Sequence, residues 1–96
     1  MKFLHLTFHF EYQERIEAIL DRHGVTDFVR YPMIEGRDCD GKHFGTQVFP
    51  GNTSVVQALV EEDTVDGLLD DVRAFRDEKQ THQHLQAAVL PVEHML

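Results

Sequence analysis

A strand–helix–strand rhythm runs twice along this chain, and a glycine-rich stretch too long for a turn separates the two copies. Residues 2 to 10 alternate, with Leu4, Leu6, Phe8 and Phe10 on one side and Phe3, His5, Thr7 and His9 on the other. That is the period of a half-buried strand. From Glu11 to His23 the apolar residues Tyr12, Ile16, Ile19 and Leu20 recur at helical spacing, and Gly24 stands where a helix end is capped. Val25 to Met33, rich in Val, Phe and Tyr, reads as a second strand. Pro32 marks it as an edge strand or one already leaving the ladder.

The second copy begins at Thr53. Residues Thr53 to Glu61 form a third strand, with Val56, Ala58 and Val60 opposite Val55, Gln57 and Leu59. Asp63, three residues before Asp66, supplies an N-terminal capping pattern for a second helix. Val65, Leu68, Leu69, Val72 and Phe75 form the apolar stripe of that helix. A fourth strand, His84 to Leu90, ends at Pro91.

This order admits few topologies. Right-handed crossovers put both helices on one face of a four-stranded antiparallel sheet, which is the α+β, split βαβ or ferredoxin-like architecture (βαββαβ). A chain of 96 residues holds one domain, residues 1-96, around one core. The other sheet face, bearing Phe3, His5, Thr7 and His9, is bare in a monomer. A homo-oligomer is therefore expected to cover it, and a small domain gains from such association.

Charge narrows the partners. Nine Lys and Arg stand against seventeen Asp and Glu, a formal net charge of −8. A nucleic-acid binder needs a basic face, so no nucleic-acid partner is expected. An anionic membrane surface is disfavoured for the same reason. No apolar run is long enough to span a bilayer, and the amino terminus reads as a strand rather than a signal peptide. The single cysteine, Cys39, excludes an internal disulfide and fits a reducing, cytoplasmic setting.

The stretch from Met33 to Asn52 carries Gly36, Gly41, Gly45 and Gly51, four of the six glycines. A compact domain keeps so long an irregular loop where it binds something or meets a partner, so residues 34 to 52 are the expected functional segment. Within it, Asp38, Cys39, Asp40 and His43 bring together two carboxylates, a thiol and an imidazole. Such a set suits a divalent metal such as zinc or copper. The spacing fits no established zinc pattern, and a solvated loop or partner contact is the plainer reading. Cys39 with His43 lacks a legible third orienting group, so no enzyme activity is expected. His82 and His84, if on a strand, point to one side. The acidic residues Asp63, Asp66, Asp70, Asp71, Asp77 and Glu78 read as a solvated outer surface of the second helix.

Local features carry a resemblance. They are Gly36, the run Gly41-Lys42-His43-Phe44-Gly45-Thr46, the segment Val48-Phe49-Pro50-Gly51-Asn52 and the closing Ala88-Val89-Leu90-Pro91-Val92-Glu93. With the length, the element order and the long central loop, they make the chain resemble the PII-like family of small trimeric signalling proteins. The loop falls where PII proteins carry their T-loop. The resemblance implies a trimer in which Gly36, Arg37, Gly41, Lys42, His43, Gly45 and Thr46 contact a regulated protein partner. A small ligand bound between subunits would control that contact.

The chain also departs from the family. Nucleotide-binding PII proteins place a glycine-rich turn with a lysine between the second helix and the last strand. Here Asp77-Glu78-Lys79-Gln80-Thr81-His82-Gln83-His84 contains no glycine. The end, Glu93-His94-Met95-Leu96, lacks the family's basic residues, and no tyrosine lies between Met33 and Asn52. Adenine-nucleotide binding in the family manner and uridylylation are therefore not expected. Two other readings share the topology. One is a metal-binding trimer similar to CutA; the other is a small dimeric ferredoxin-like enzyme, which fold alone does not exclude.

Overall fold

The structure is a computed structural model that describes residues 1–34, 36–38, 41–43 and 53–96. The elements are β1 (Lys2–His9), α1 (Gln13–Arg22), β2 (Phe28–Ile34), β3 (Gly36–Asp38), β4 (Gly41–His43), β5 (Thr53–Val60), α2 (Val65–Asp77) and β6 (Gln86–Pro91). Short 3-10 turns cover Phe10–Tyr12, Glu62–Thr64 and Gln80–His82. Four strands pair antiparallel in the order β2-β5-β1-β6, the ferredoxin-like arrangement, while β3 and β4 pair separately.

One face of the sheet makes the core. Leu4 and Leu6 of β1 lie opposite Ala58 and Val56 of β5, and all four are buried. Ile16, Ile19 and Leu20 of α1 and Leu68, Val72 and Phe75 of α2 close over them. Each large side chain taken fully from water contributes roughly 1.5–3 kcal/mol, so the helical stripes and the inward strand residues together supply the apolar burial that holds the fold.

Helix α1 ends as its glycine predicts. Gly24 has φ +75°, its N–H donates to the Asp21 carbonyl at 3.0 Å, and the Val25 N–H donates to the Leu20 carbonyl at 2.9 Å. This Schellman geometry turns Val25 into the core beside Leu20. Val25 therefore leaves the second strand, which starts at Phe28 rather than at Val25. β2 is an edge strand with a register shift between Tyr31 and Ile34, which accommodates Pro32.

Other expectations need correction. Phe10 is not the last inward residue of β1. It opens a 3-10 turn and is 38% exposed, because the His9 ring nitrogen Nδ1 accepts the Glu11 N–H at 3.2 Å and ends the strand. Asp63 does not cap α2. It lies inside the 3-10 turn, and Thr64 precedes the helix with no side-chain capping bond. The central segment is not wholly irregular, since β3 and β4 form a hairpin within it.

The opposite sheet face is arranged in rows. Leu59, Phe3 and Leu90 form one, and Val29, Gln57, His5 and Ala88 the next. Tyr31, Val55, Thr7 and Gln86 form the third. None of these side chains is charged, in a chain of which 27% is charged. Val29, Tyr31, Leu59 and Leu90 are 54%, 46%, 46% and 54% exposed, which is unusual for so apolar a surface in a monomer.

A polar clamp joins the helices. His23, just past α1, donates from Nε2 to the Asp71 carboxylate of α2 at 2.6 Å, and Arg22 lies 3.5 Å from the same oxygen. Gly67 admits the imidazole, since a Cβ there would sit 3.3 Å from the His23 ring. The hydrogen bond from His23, aided by the Arg22 charge, holds the Asp71 carboxyl below its usual value of 3.8. A lowered folded-state pKa stabilises the fold above that usual value and is lost as pH falls through the lowered one. Acidification below about pH 4 should therefore destabilise the natural protein more than Asp71→Asn. Urea unfolding across that range checks this, and parallel curves for the two proteins would refute it. Among the described residues no helix is long and apolar enough to cross a membrane.

Candidate functional site

Three connections meet at one end of the sheet. β2 leaves and β5 returns there, with Ile34 opposite Thr53, and His9 at the end of β1 also faces Thr53. β6 enters at the same end, Gln86 pairing with Thr7. The β1–α1 turn, the end of β2, the start of β5 and the α2–β6 connection 78–85 are thus neighbours at the loop base.

The α2–β6 connection is held by side chains. His82 is 3% exposed, and its Nδ1 lies 2.7 Å from the Phe75 carbonyl oxygen. A carbonyl only accepts, so Nδ1 carries the hydrogen and donates. The imidazole stacks on the Phe75 ring at 4.2 Å and 12° and meets Tyr12 edge-on at 4.5 Å. Arg15 places its guanidinium carbon 4.8 Å from the Phe75 ring centre and grips both Glu78 carboxylate oxygens, at 3.1 and 2.9 Å. α2 has no glycine to cap its last carbonyls, and His82 takes that task.

Four backbone N–H groups of this connection are used internally. The N–H groups of Glu78, His82, Gln83 and Leu85 donate to the carbonyls of Phe75, Lys79, Gln80 and His82. A phosphate cradle needs amides free to point at the anion, and these four are engaged. His82 and His84 are consequently not a strand pair. His82 lies in the 3-10 turn, His84 follows it, and β6 starts only at Gln86. Leu85 turns into the core and holds the strand start in place.

On the β1 side, the His9 ring packs against Tyr12 at 5.5 Å. Ser54, opposite Phe8 on the core face, is fully buried, and its hydroxyl has no hydrogen-bond partner among the described residues. His5, on the outer face, has Nδ1 3.3 Å from the Gln57 amide nitrogen.

The loop candidates divide. Gly36, Arg37 and Asp38 lie in β3 and Gly41, Lys42 and His43 in β4, with Gly36 opposite His43, Arg37 opposite Lys42 and Asp38 opposite Gly41. The hairpin therefore gathers the glycines and both basic residues into adjoining register positions. Cys39, Asp40, Gly45 and Thr46 lie outside the described residues, so the four-residue metal set is only half placed. Among the described residues no three His, Cys, Asp or Glu side chains gather as a metal-binding group. The acidic residues of α2 partly serve neighbours: Asp71 holds His23, Glu78 holds Arg15, and Asp70 meets Arg73 at 3.2 Å. The reading from sequence missed the Tyr12–Phe75–His82 cluster. Its one legible sign was a helix without a terminal glycine followed, seven residues after Phe75, by a histidine.

The sequence matches no protein-family model and no curated protein. Solved structures do match. The nitrogen regulatory PII-like protein CPII from Thiomonas intermedia K12, bound to ADP, AMP and bicarbonate, superposes with a TM-score of 0.75 at 20% identity, covering 93% of this chain and 88% of that one. Its apo form gives a TM-score of 0.68 at 20% identity, over 95% and 89% of the two chains. A Thermus thermophilus protein described as PII-like signalling gives 0.63 at 16% identity, over 92% and 81%. At such identities the likeness establishes the fold: this chain shares the ferredoxin-like fold of these PII-like proteins.

Proposed function

We propose that this chain is a divergent PII-like regulatory protein that acts by binding rather than catalysis. It forms a homo-oligomer, a trimer, through its uncharged sheet face. The segment 34–52 contacts a regulated protein partner through Gly36, Arg37, Gly41, Lys42, His43, Gly45 and Thr46. A small ligand held between subunits at the loop base shifts the population of loop conformations and so changes partner affinity. A cytoplasmic setting belongs to this reading, on the single Cys39.

The observation that carries the proposal is the superposition on a PII-like nitrogen regulatory protein over nearly the whole chain. The long segment leaving and re-entering at one sheet end agrees with it. That neighbour's ADP and AMP make adenine nucleotides the first ligands to test. Four amides of the connection 78–85, those of Glu78, His82, Gln83 and Leu85, are engaged internally, so other amides at the loop base or residues of an adjacent subunit would hold a nucleotide.

Native mass spectrometry of the protein, alone and with ADP, AMP or zinc added, tests the reading. A trimer that takes up ADP or AMP supports it in full. A trimer that takes up zinc alone transfers the site to the metal reading, and zinc uptake should then fall in a Cys39→Ala, His43→Ala variant. A dimer that gains none of them overturns the proposal.

A further inference from the structure

We propose that assembly through the sheet face is gated by protonation of His5, an inference that rests on the oligomeric reading above. His5 lies in the middle row of that face, between the Phe3 and Thr7 rows, and is already half-buried in the single chain. The Gln57 amide nitrogen, 3.3 Å from its Nδ1, can only donate. Nδ1 is therefore an acceptor and the imidazole is neutral in this arrangement. A proton there would set two donors face to face and force the Gln57 amide to turn.

Among the described residues, no opposite charge on the face balances an imidazolium; the turned Gln57 amide offers it only a neutral carbonyl oxygen. Its row neighbours are Val29, Gln57 and Ala88, and the adjoining rows carry no carboxylate. The other titratable groups there are His9, at the loop end of β1, and Tyr31 of β2. Arg76 of α2 shares a cleft with His5 around the start of β6, and it is a like charge. A second copy seated on the face would dehydrate the ring. Burying an unpaired imidazolium is far more costly than burying the neutral ring, so protonation favours separated subunits. In a closed assembly each subunit brings its own His5, and the effect repeats at every contact.

The sign distinguishes this gate from bulk charge. The chain carries a formal charge of −8 and a pI of about 5.2, so acidification alone reduces repulsion between copies and tightens association. His5 predicts the opposite.

Sedimentation of the full chain between about pH 8 and pH 5.5 is the test. The dissociation constant of the natural protein should rise by about tenfold per pH unit below the imidazole range for each His5 that must be neutral. His5→Gln should remove the rise, and His9→Gln should keep it. Independently, the NMR titration midpoint of His5 in the natural protein should fall as protein concentration rises, because the assembly prefers the neutral ring. An oligomer of unchanged affinity, or the same rise in His5→Gln together with a concentration-independent midpoint, overturns the gate alone. A monomer at every pH overturns both the gate and the oligomeric reading.

Discussion

His82→Ala should lower the unfolding free energy by about 2–4 kcal/mol, whereas His82→Phe should lower it by about 1 kcal/mol. The alanine removes a buried ring that stacks on Phe75 and meets Tyr12, and it leaves space beside both. It also removes the side-chain donor to the Phe75 carbonyl in the last turn of α2. Phenylalanine keeps the stack and loses only the hydrogen bond, and the Glu78 N–H at 3.2 Å still reaches that carbonyl. Thermal unfolding reads the difference directly, at about 4–8 °C for each kcal/mol in a domain of this size. Equal losses in the two variants would show that the hydrogen bond, not the packing, holds the connection. The position of β6 depends on this wedge, so the alanine variant should also loosen the amides of residues 78–85 in hydrogen exchange.

Leu59→Asp should leave the single chain folded and reduce its self-association at least about a hundredfold. Leu59 is 46% exposed on the outer face and outside the buried core, so the substitution removes little packing within the chain. In an assembly that closes over the row of Leu59, Phe3 and Leu90, the carboxylate would be buried without a cation, because no positive side chain lies in the three rows. Sedimentation and circular dichroism together separate the outcomes. A folded monomer is the expected result. An oligomer as tight as the natural one would move the interface to another surface and remove the basis for a closed sheet face.

Much of the fold was legible because its residues report local periodicity. The alternation of Leu4, Leu6 and Phe8, and the stripe from Leu68 through Val72 to Phe75, are one-dimensional patterns with one geometric reading each, and the structure buries those side chains. The glycine cap of α1 was legible for a related reason: a left-handed residue after a helical stripe names its own position. The errors fall where one side chain redirects the backbone. His9 ends β1 a residue early by accepting an amide hydrogen, and Val25 leaves the second strand to complete a capping motif. The candidate site was less legible still. The hairpin pairing of β3 with β4 follows no apolar alternation, so a glycine-rich segment read as irregular.

By itself, then, the sequence determined the order of the four sheet strands and two helices, the inward side of β1 and the apolar stripes of both helices, since these follow from which residue types recur at periods of two and 3.6. Only the tertiary structure decided what the polar exceptions do. His82 became a helix cap because the end of α2 and the turn after it meet over Tyr12 and Phe75. Gly67, which looks like a weak point in a helix, became the place where His23 crosses to Asp71. His5 acquired Gln57 as a partner 52 residues away. Contacts of this kind depend on distances between elements, and a pattern along the chain carries no such distances.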